Sequence, residues 1–129
     1  MPYEKDRNSW NEFSKKLEAV EPPYFKEREV WWTSIGVNIG HEEDGKGPAL
    51  SRPVLILKKF GKYTFLGIPL STTKRVGALY RHFSFLPEVD SVALLAHTKS
   101  FDSRRLIKKI GTIADKDFCA MRKAVKDLL

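Results

Sequence analysis

Apolar residues recur at three- and four-residue steps near the start of the chain, at Trp10, Phe13, Leu17 and Val20, and this period predicts a helix from about Lys5 to Val20. Pro22-Pro23 ends it, because proline lacks a backbone donor and restricts the residue before it. The period then changes. Arg28-Glu29-Val30-Trp31-Trp32-Thr33-Ser34-Ile35 is dense in aromatic and β-branched residues and predicts a strand. From Gly36 to Ser51 the chain carries Gly36, Gly40, Gly45, Gly47 and Pro48, a long loop of the kind that is commonly functional in compact domains. A buried strand entered through a proline follows over Arg52 to Lys58. A tight hairpin at Phe60-Gly61-Lys62-Tyr63 leads into the next, Tyr63 to Leu70.

Beyond Ser71-Thr72-Thr73-Lys74-Arg75, strands are expected from about Leu79 to Phe85, over Val92 to His97, and from Ile107 to Ile113, with a single helical turn at Asp102-Ser103-Arg104-Arg105. A helix from about Asp115 to Leu128 closes the chain, capped by Asp115, with Phe118, Met121, Val125 and Leu128 inward. The expected fold class is mainly β (α+β): a small, strongly curved sheet or barrel of antiparallel strands with a C-terminal helix and an extra N-terminal helix. The division is a helical extension over 1–23 and a β domain over 24–129.

At 129 residues the chain fits one domain. It holds no apolar run approaching the roughly 18–20 residues that span a bilayer. Its start lacks the apolar segment of a secretory signal, and its lone Cys119 has no internal partner, so a cytoplasmic location is expected. With 23 Lys+Arg against 16 Asp+Glu, the net charge of +7 favours polyanions as partners. The basic residues are spread over strands and loops rather than gathered on one helix. That suits nucleic acid better than a membrane surface.

The three histidines, His41, His82 and His97, have no paired spacing, so neither a metal nor a cofactor is expected. Nor is there a glycine loop ahead of a helix or a nucleophilic serine on an elbow turn. A basic, strand-based site remains. RNA can be cut without a metal because its own 2′-hydroxyl is the nucleophile, and the protein then supplies a cation, hydrogen-bond donors and proton carriers. Arg52 suits the first task, since a guanidinium matches phosphate bidentately. Ser71 to Arg75 sets hydroxyls beside two cations. Trp31, Trp32, Tyr80, His82 and Phe83 are candidate stacking rings. Each also has a plainer reading, as a solvated arginine, a polar turn or a core aromatic.

Taken in order, these motifs resemble the PemK/MazF toxin family. The resemblance covers roughly Lys26 to Leu128. It rests on Glu29-Val30-Trp31-Trp32, Gly40-His41-Glu42-Glu43 ahead of Arg52-Pro53-Val54-Leu55-Ile56, and Pro69-Leu70-Ser71-Thr72-Thr73. Ser91 to Leu95, Phe101 to Leu106 and Lys109 to Ile113 complete it. It implies an SH3-like barrel of the CcdB/PemK type, a homodimer, and the toxin half of a type II toxin–antitoxin pair, held inactive by a small cognate antitoxin. The implied activity is metal-independent, sequence-specific endoribonucleolytic cleavage of single-stranded mRNA, leaving a 2′,3′-cyclic phosphate and a 5′-hydroxyl.

Carried over by residue, the arginine before the second-strand proline is Arg52, and the catalytic threonine falls on Ser71, with Thr72 sharing its role. The acidic position of the late strand falls on Ala96 and the glutamine after it on His97, so His97 is the candidate substitute as proton carrier, with a packed histidine as its plainer reading. Lys74, Arg75 and Lys99 are expected on phosphates, with Glu42 in the RNA-binding set. Two other classes stay open. CcdB-like toxins poison DNA gyrase through a Trp-Gly-Ile tail, whereas this chain ends Lys126-Asp127-Leu128-Leu129. A catalytically decayed member, binding RNA or DNA without cutting, is kept open by Ala96.

Overall fold

In a computed structural model of the chain we describe residues 21–35, 51–86 and 89–129. The expected helix over Lys5 to Val20 and the glycine-rich loop holding His41 and Glu42 lie outside them. Seven strands form one antiparallel sheet: β1 (Glu29–Ser34), β2 (Ser51–Lys59), β3 (Thr64–Ser71), β4 (Tyr80–Leu86), β5 (Val89–Leu94), β6 (Lys99–Asp102) and β7 (Leu106–Thr112). Their order is β4-β5-β3-β2-β1-β7, and β6 adds to β3. The helix α1 (Asp115–Asp127) follows. No helix among the described residues is long and apolar enough to cross a membrane.

Alternation along the strands builds a core on each face of the sheet, since successive side chains point to opposite sides. Val30, Leu55, Ile68, Leu70, Phe83 and Ala93 pack on the inner face, closed by Ile113 and by Phe118 and Met121 of α1. Trp31, Val54, Ile56, Phe65, Phe101 and Leu106 pack on the outer face. There Phe65 lies between Phe25 and Phe101, with ring centroids 5.4 Å away on each side. Phe25, only 1% exposed, thereby fastens the segment before β1 to the sheet. Lys59 ties it further, donating from Nζ to the Phe25 carbonyl at 2.9 Å and from its backbone N–H to Glu27 Oε2 at 2.9 Å.

The sheet is not a closed barrel, which corrects the sequence expectation. Among the described residues β4 and β7 share no ladder. The sheet curls until Phe85 of β4 lies on Gly111 of β7, where an added Cβ would stand 3.0 Å from the ring. Bulky side chains thus fill the gap that hydrogen bonds would close. Two further differences concern the ends of elements. The strand expected to run through His97 stops at Leu94, and Leu95–His97 form a 3-10 turn. Thr98 holds that turn, its backbone N–H and its Oγ1 both donating to the Leu95 carbonyl, at 3.2 and 2.7 Å. Asp115 does not cap α1. Ala114 occupies the cap position, and Asp115, one residue inside, pairs with Arg28 Nη1 at 3.0 Å.

Candidate functional site

Strand β3 is paired along both edges, and the candidate site lies where its ladder with β2 ends. Its residues Phe65 to Pro69 pair with β2, where the ladder ends at Val54 opposite Pro69. Arg52 stands two residues before Val54, and Ser71 two residues after Pro69. Both therefore sit at the same open end of that ladder. They also share the outer face, because Arg52 alternates in step with Val54 and Ile56, and Ser71 with Phe65. Both are half-buried.

On its other edge β3 pairs with β6 over Thr64 to Gly67 and, past Pro69, with β5, setting Leu70 opposite Ala93 and Ser71 opposite Val92. Val92 in turn faces His82 of β4. On the other flank, Thr33 of β1 lies opposite Arg52. One cross-strand band on the outer face thus carries His82, Val92, Ser71, Arg52 and Thr33. The sequence offers His82 as a stacking ring and gives Thr33 no role; the alternation of the strands is the available signal for both.

The Ser71 hydroxyl is oriented locally. Its Oγ accepts the Thr73 backbone N–H at 3.1 Å, and since a hydroxyl has a single proton, that proton points elsewhere. Thr72 and Lys74 are exposed on the turn that follows. The turn is held to β4 by the His82 ring, whose Nε2 lies 2.6 Å from the Arg75 carbonyl, and by the Arg75 guanidinium, 5.7 Å from the centre of the Tyr80 ring. The turn then closes through Gly77, at φ 133°, whose carbonyl accepts the Tyr80 N–H at 3.2 Å. A side chain at such a φ would be strained.

The remaining candidates fall into four groups. Lys99 opens β6 opposite Gly67, exposed, with its ammonium 5.2 Å from the Phe101 ring centre. His97 is exposed on the 3-10 turn between β5 and β6, off the strand position expected for it, as is its neighbour Ala96. Glu42 lies outside the described residues. Of the five candidate stacking rings, Trp31 and Phe83 are buried in the two cores. Trp32 (39% exposed), Tyr80 and His82 remain accessible. The arrangement can therefore present a guanidinium, an oriented hydroxyl and flanking rings and cations to a single-stranded polyanion.

Comparison with known proteins bears on what this face is for. Residues 26–129 match the family model of the PemK-like, MazF-like toxins of type II toxin–antitoxin systems. No curated protein matches the chain. Among solved structures, MazF from Deinococcus radiodurans is similar at a TM-score of 0.62 and 19% identity, covering 82% of this chain and 97% of that one. The Mycobacterium tuberculosis toxin MazF-mt6 is similar at 0.58 and 20%, covering 78% and 94%. An endoribonuclease in complex with its cognate antitoxin, from a mycobacterial species, is similar at 0.63 and 11%, covering 81% and 93%. These structures share the fold; the family match over most of the length does more. The chain belongs to the PemK-like, MazF-like toxins of type II toxin–antitoxin systems.

Proposed function

We propose that this toxin is an endoribonuclease that cuts single-stranded mRNA at the Arg52–Ser71 end of the sheet. The observation that carries the reading is that Arg52 and Ser71 stand on one face, just past the end of the β2–β3 ladder. The substrate's 2′-hydroxyl attacks the adjacent phosphorus, giving a 2′,3′-cyclic phosphate and a 5′-hydroxyl. The Arg52 guanidinium stabilises the charge gathering on the phosphoryl oxygens, and its two parallel N–H donors fit that geometry. Ser71, its oxygen already held by Thr73, turns its proton toward the same oxygens. Thr72 supports it, and His97 carries a proton to or from the reacting oxygens. Lys74, Arg75 and Lys99 hold flanking phosphates, with Glu42 among the contacts to the RNA. Neither metal nor cofactor takes part. The working form is a cytoplasmic homodimer, restrained by a cognate antitoxin.

Purified protein incubated with mixed RNA in EDTA tests this reading. Cleavage leaving cyclic-phosphate ends is expected. Binding without cleavage would replace it with a decayed RNA-binding member, and gyrase inhibition without cleavage with a poison of the same fold.

A further inference from the structure

A groove of about 450 Å³ runs between α1 and the far ends of β2 and β3. Leu57, Leu66 and Val125 give it an apolar floor. Lys58, Arg122, Lys123 and Lys126 give it a cationic rim, and none of its lining side chains is acidic. On the helix this follows from spacing, because residues three and four apart share a face. On β2 it follows from the irregularity between Ile56 and Lys58, which lets the consecutive residues Leu57 and Lys58 line one groove where regular alternation would send them to opposite sides. Among the described residues no carboxylate pairs with Lys58, Lys123 or Lys126. The Arg122 guanidinium rests 5.9 Å from the centre of the Phe118 ring. Leu129, 99% exposed, leaves the floor open at one edge.

A basic rim around an apolar floor selects a ligand that is apolar along one side and anionic at its edges. A second copy of this chain does not meet that description, since a two-fold contact through the groove would set cation against cation. RNA would satisfy the rim and leave the leucine floor in water. We propose that the groove docks an acidic amphipathic helix of a partner protein, with the helix's apolar stripe on the floor and its carboxylates on the rim. Lys58 stands six residues from Arg52 along β2, roughly 20 Å at about 3.3 Å per residue. The docked helix therefore leaves the Arg52–Ser71 end uncovered and tethers its protein without blocking the site.

Cys119 provides the readout, being the chain's one cysteine, exposed, and part of the groove lining. The rate at which full-length protein reacts with a chromogenic disulfide reagent is followed against increasing concentrations of a synthetic helical peptide, with leucines on one stripe and glutamates elsewhere. Saturable slowing of about tenfold is expected. A Leu/Lys peptide of the same pattern and a scrambled Leu/Glu peptide without the stripe should leave the rate unchanged. Lys123→Glu with Lys126→Glu should abolish the protection by the Leu/Glu peptide while circular dichroism and the melting curve stay native. The proposal is overturned by no slowing, by equal slowing with the scrambled peptide, by equal slowing from a short RNA, or by protection that survives the charge reversal. RNA cleavage read in the same samples separates this outcome from the nuclease reading: protein that cuts RNA yet shows no protection removes the docking site alone.

Discussion

The Arg28 guanidinium donates from Nε and Nη2 to the carbonyl of Ile113 at 3.1 and 3.0 Å, and the Ile113 N–H returns to the Arg28 carbonyl at 2.9 Å. The third guanidinium nitrogen reaches Asp115 at the start of α1. This exchange joins the entry of β1 to the junction between β7 and the helix, across 85 residues of sequence. Arg28 adopts φ 78° to make it, a conformation that costs a non-glycine residue energy. Arg28→Ala should destabilise the fold by about 1–3 kcal/mol through the bonds lost to a carbonyl and a carboxylate. Arg28→Gly should lose less, because glycine accepts this φ. Urea unfolding measures both, and equal losses would show that the strain contributes nothing.

Gly67 is closely approached on the outer face. A Cβ there would stand 2.6 Å from Val54 Cγ1, 2.9 Å from Phe65 and 3.0 Å from Phe101. Gly67→Ala should cost about 1–3 kcal/mol by overpacking. In a Val54→Ala background part of that cost should vanish, so the two changes should not add. Strict additivity in thermal unfolding would contradict the geometry.

Acid stability should be set by Glu29. Its Oε1 accepts from the Lys26 N–H at 2.8 Å and the Trp31 indole at 2.9 Å, and its Oε2 lies 3.1 Å from Lys109 Nζ. Burial pushes its carboxyl upward, but the bonds from Trp31, Lys26 and Lys109 outweigh burial and hold it below the ordinary 4.5. A carboxyl depressed in the folded state binds fewer protons there than when unfolded. Its contribution is complete above the unfolded value and is lost as pH falls through the folded one. Asp102, held below 3.8 chiefly by the Arg104 guanidinium, acts with the same sign lower down. Unfolding free energy should therefore fall on acidification from about pH 5 toward about pH 3, and Glu29→Gln should flatten the upper part of that fall. An unchanged acid limb in Glu29→Gln would refute the assignment.

Phosphate contacts should announce themselves through salt. Lys74→Ala and Arg75→Ala are each expected to weaken RNA binding at all sequences and to reduce the salt slope by roughly one contact. His97→Ala should shift the pH profile of cleavage, whereas unchanged affinities, slopes and profile would remove these three residues from the site.

How much of this could be read from the chain depends on how local each determinant is. The turn at Ser103–Arg105 was legible because its cap is local, Asp102 accepting the Arg104 N–H at 2.9 Å. The period of Val54, Leu55, Ile56 and Leu57 likewise announced a strand buried on both faces. The end of β5 at Leu94 was not legible, since apolar Leu95-Ala96 continues the strand pattern while β3 passes from one partner to the next. Strand β6 was missed for the same reason, being only Lys99–Asp102 and defined by its place beside β3. The open edge between β4 and β7 depends on how the Phe85 ring meets Gly111, a long-range contact that no local pattern encodes. The site itself was half legible. Arg52 and Ser71 were chosen by chemistry and resemblance, whereas their shared end and face, and the place of His82 and Thr33 in the same band, follow only from the register.

The most direct measurement is cleavage of a mixed single-stranded RNA in EDTA by the wild type and by Arg52→Ala, with melting curves confirming that both are folded. Wild type should leave cyclic-phosphate ends, and Arg52→Ala should lose about 10²–10³-fold in rate, as when a preorganised donor to a transition-state oxyanion is removed. A wild type that cuts nothing, or an Arg52→Ala protein that cuts as fast, would contradict the account.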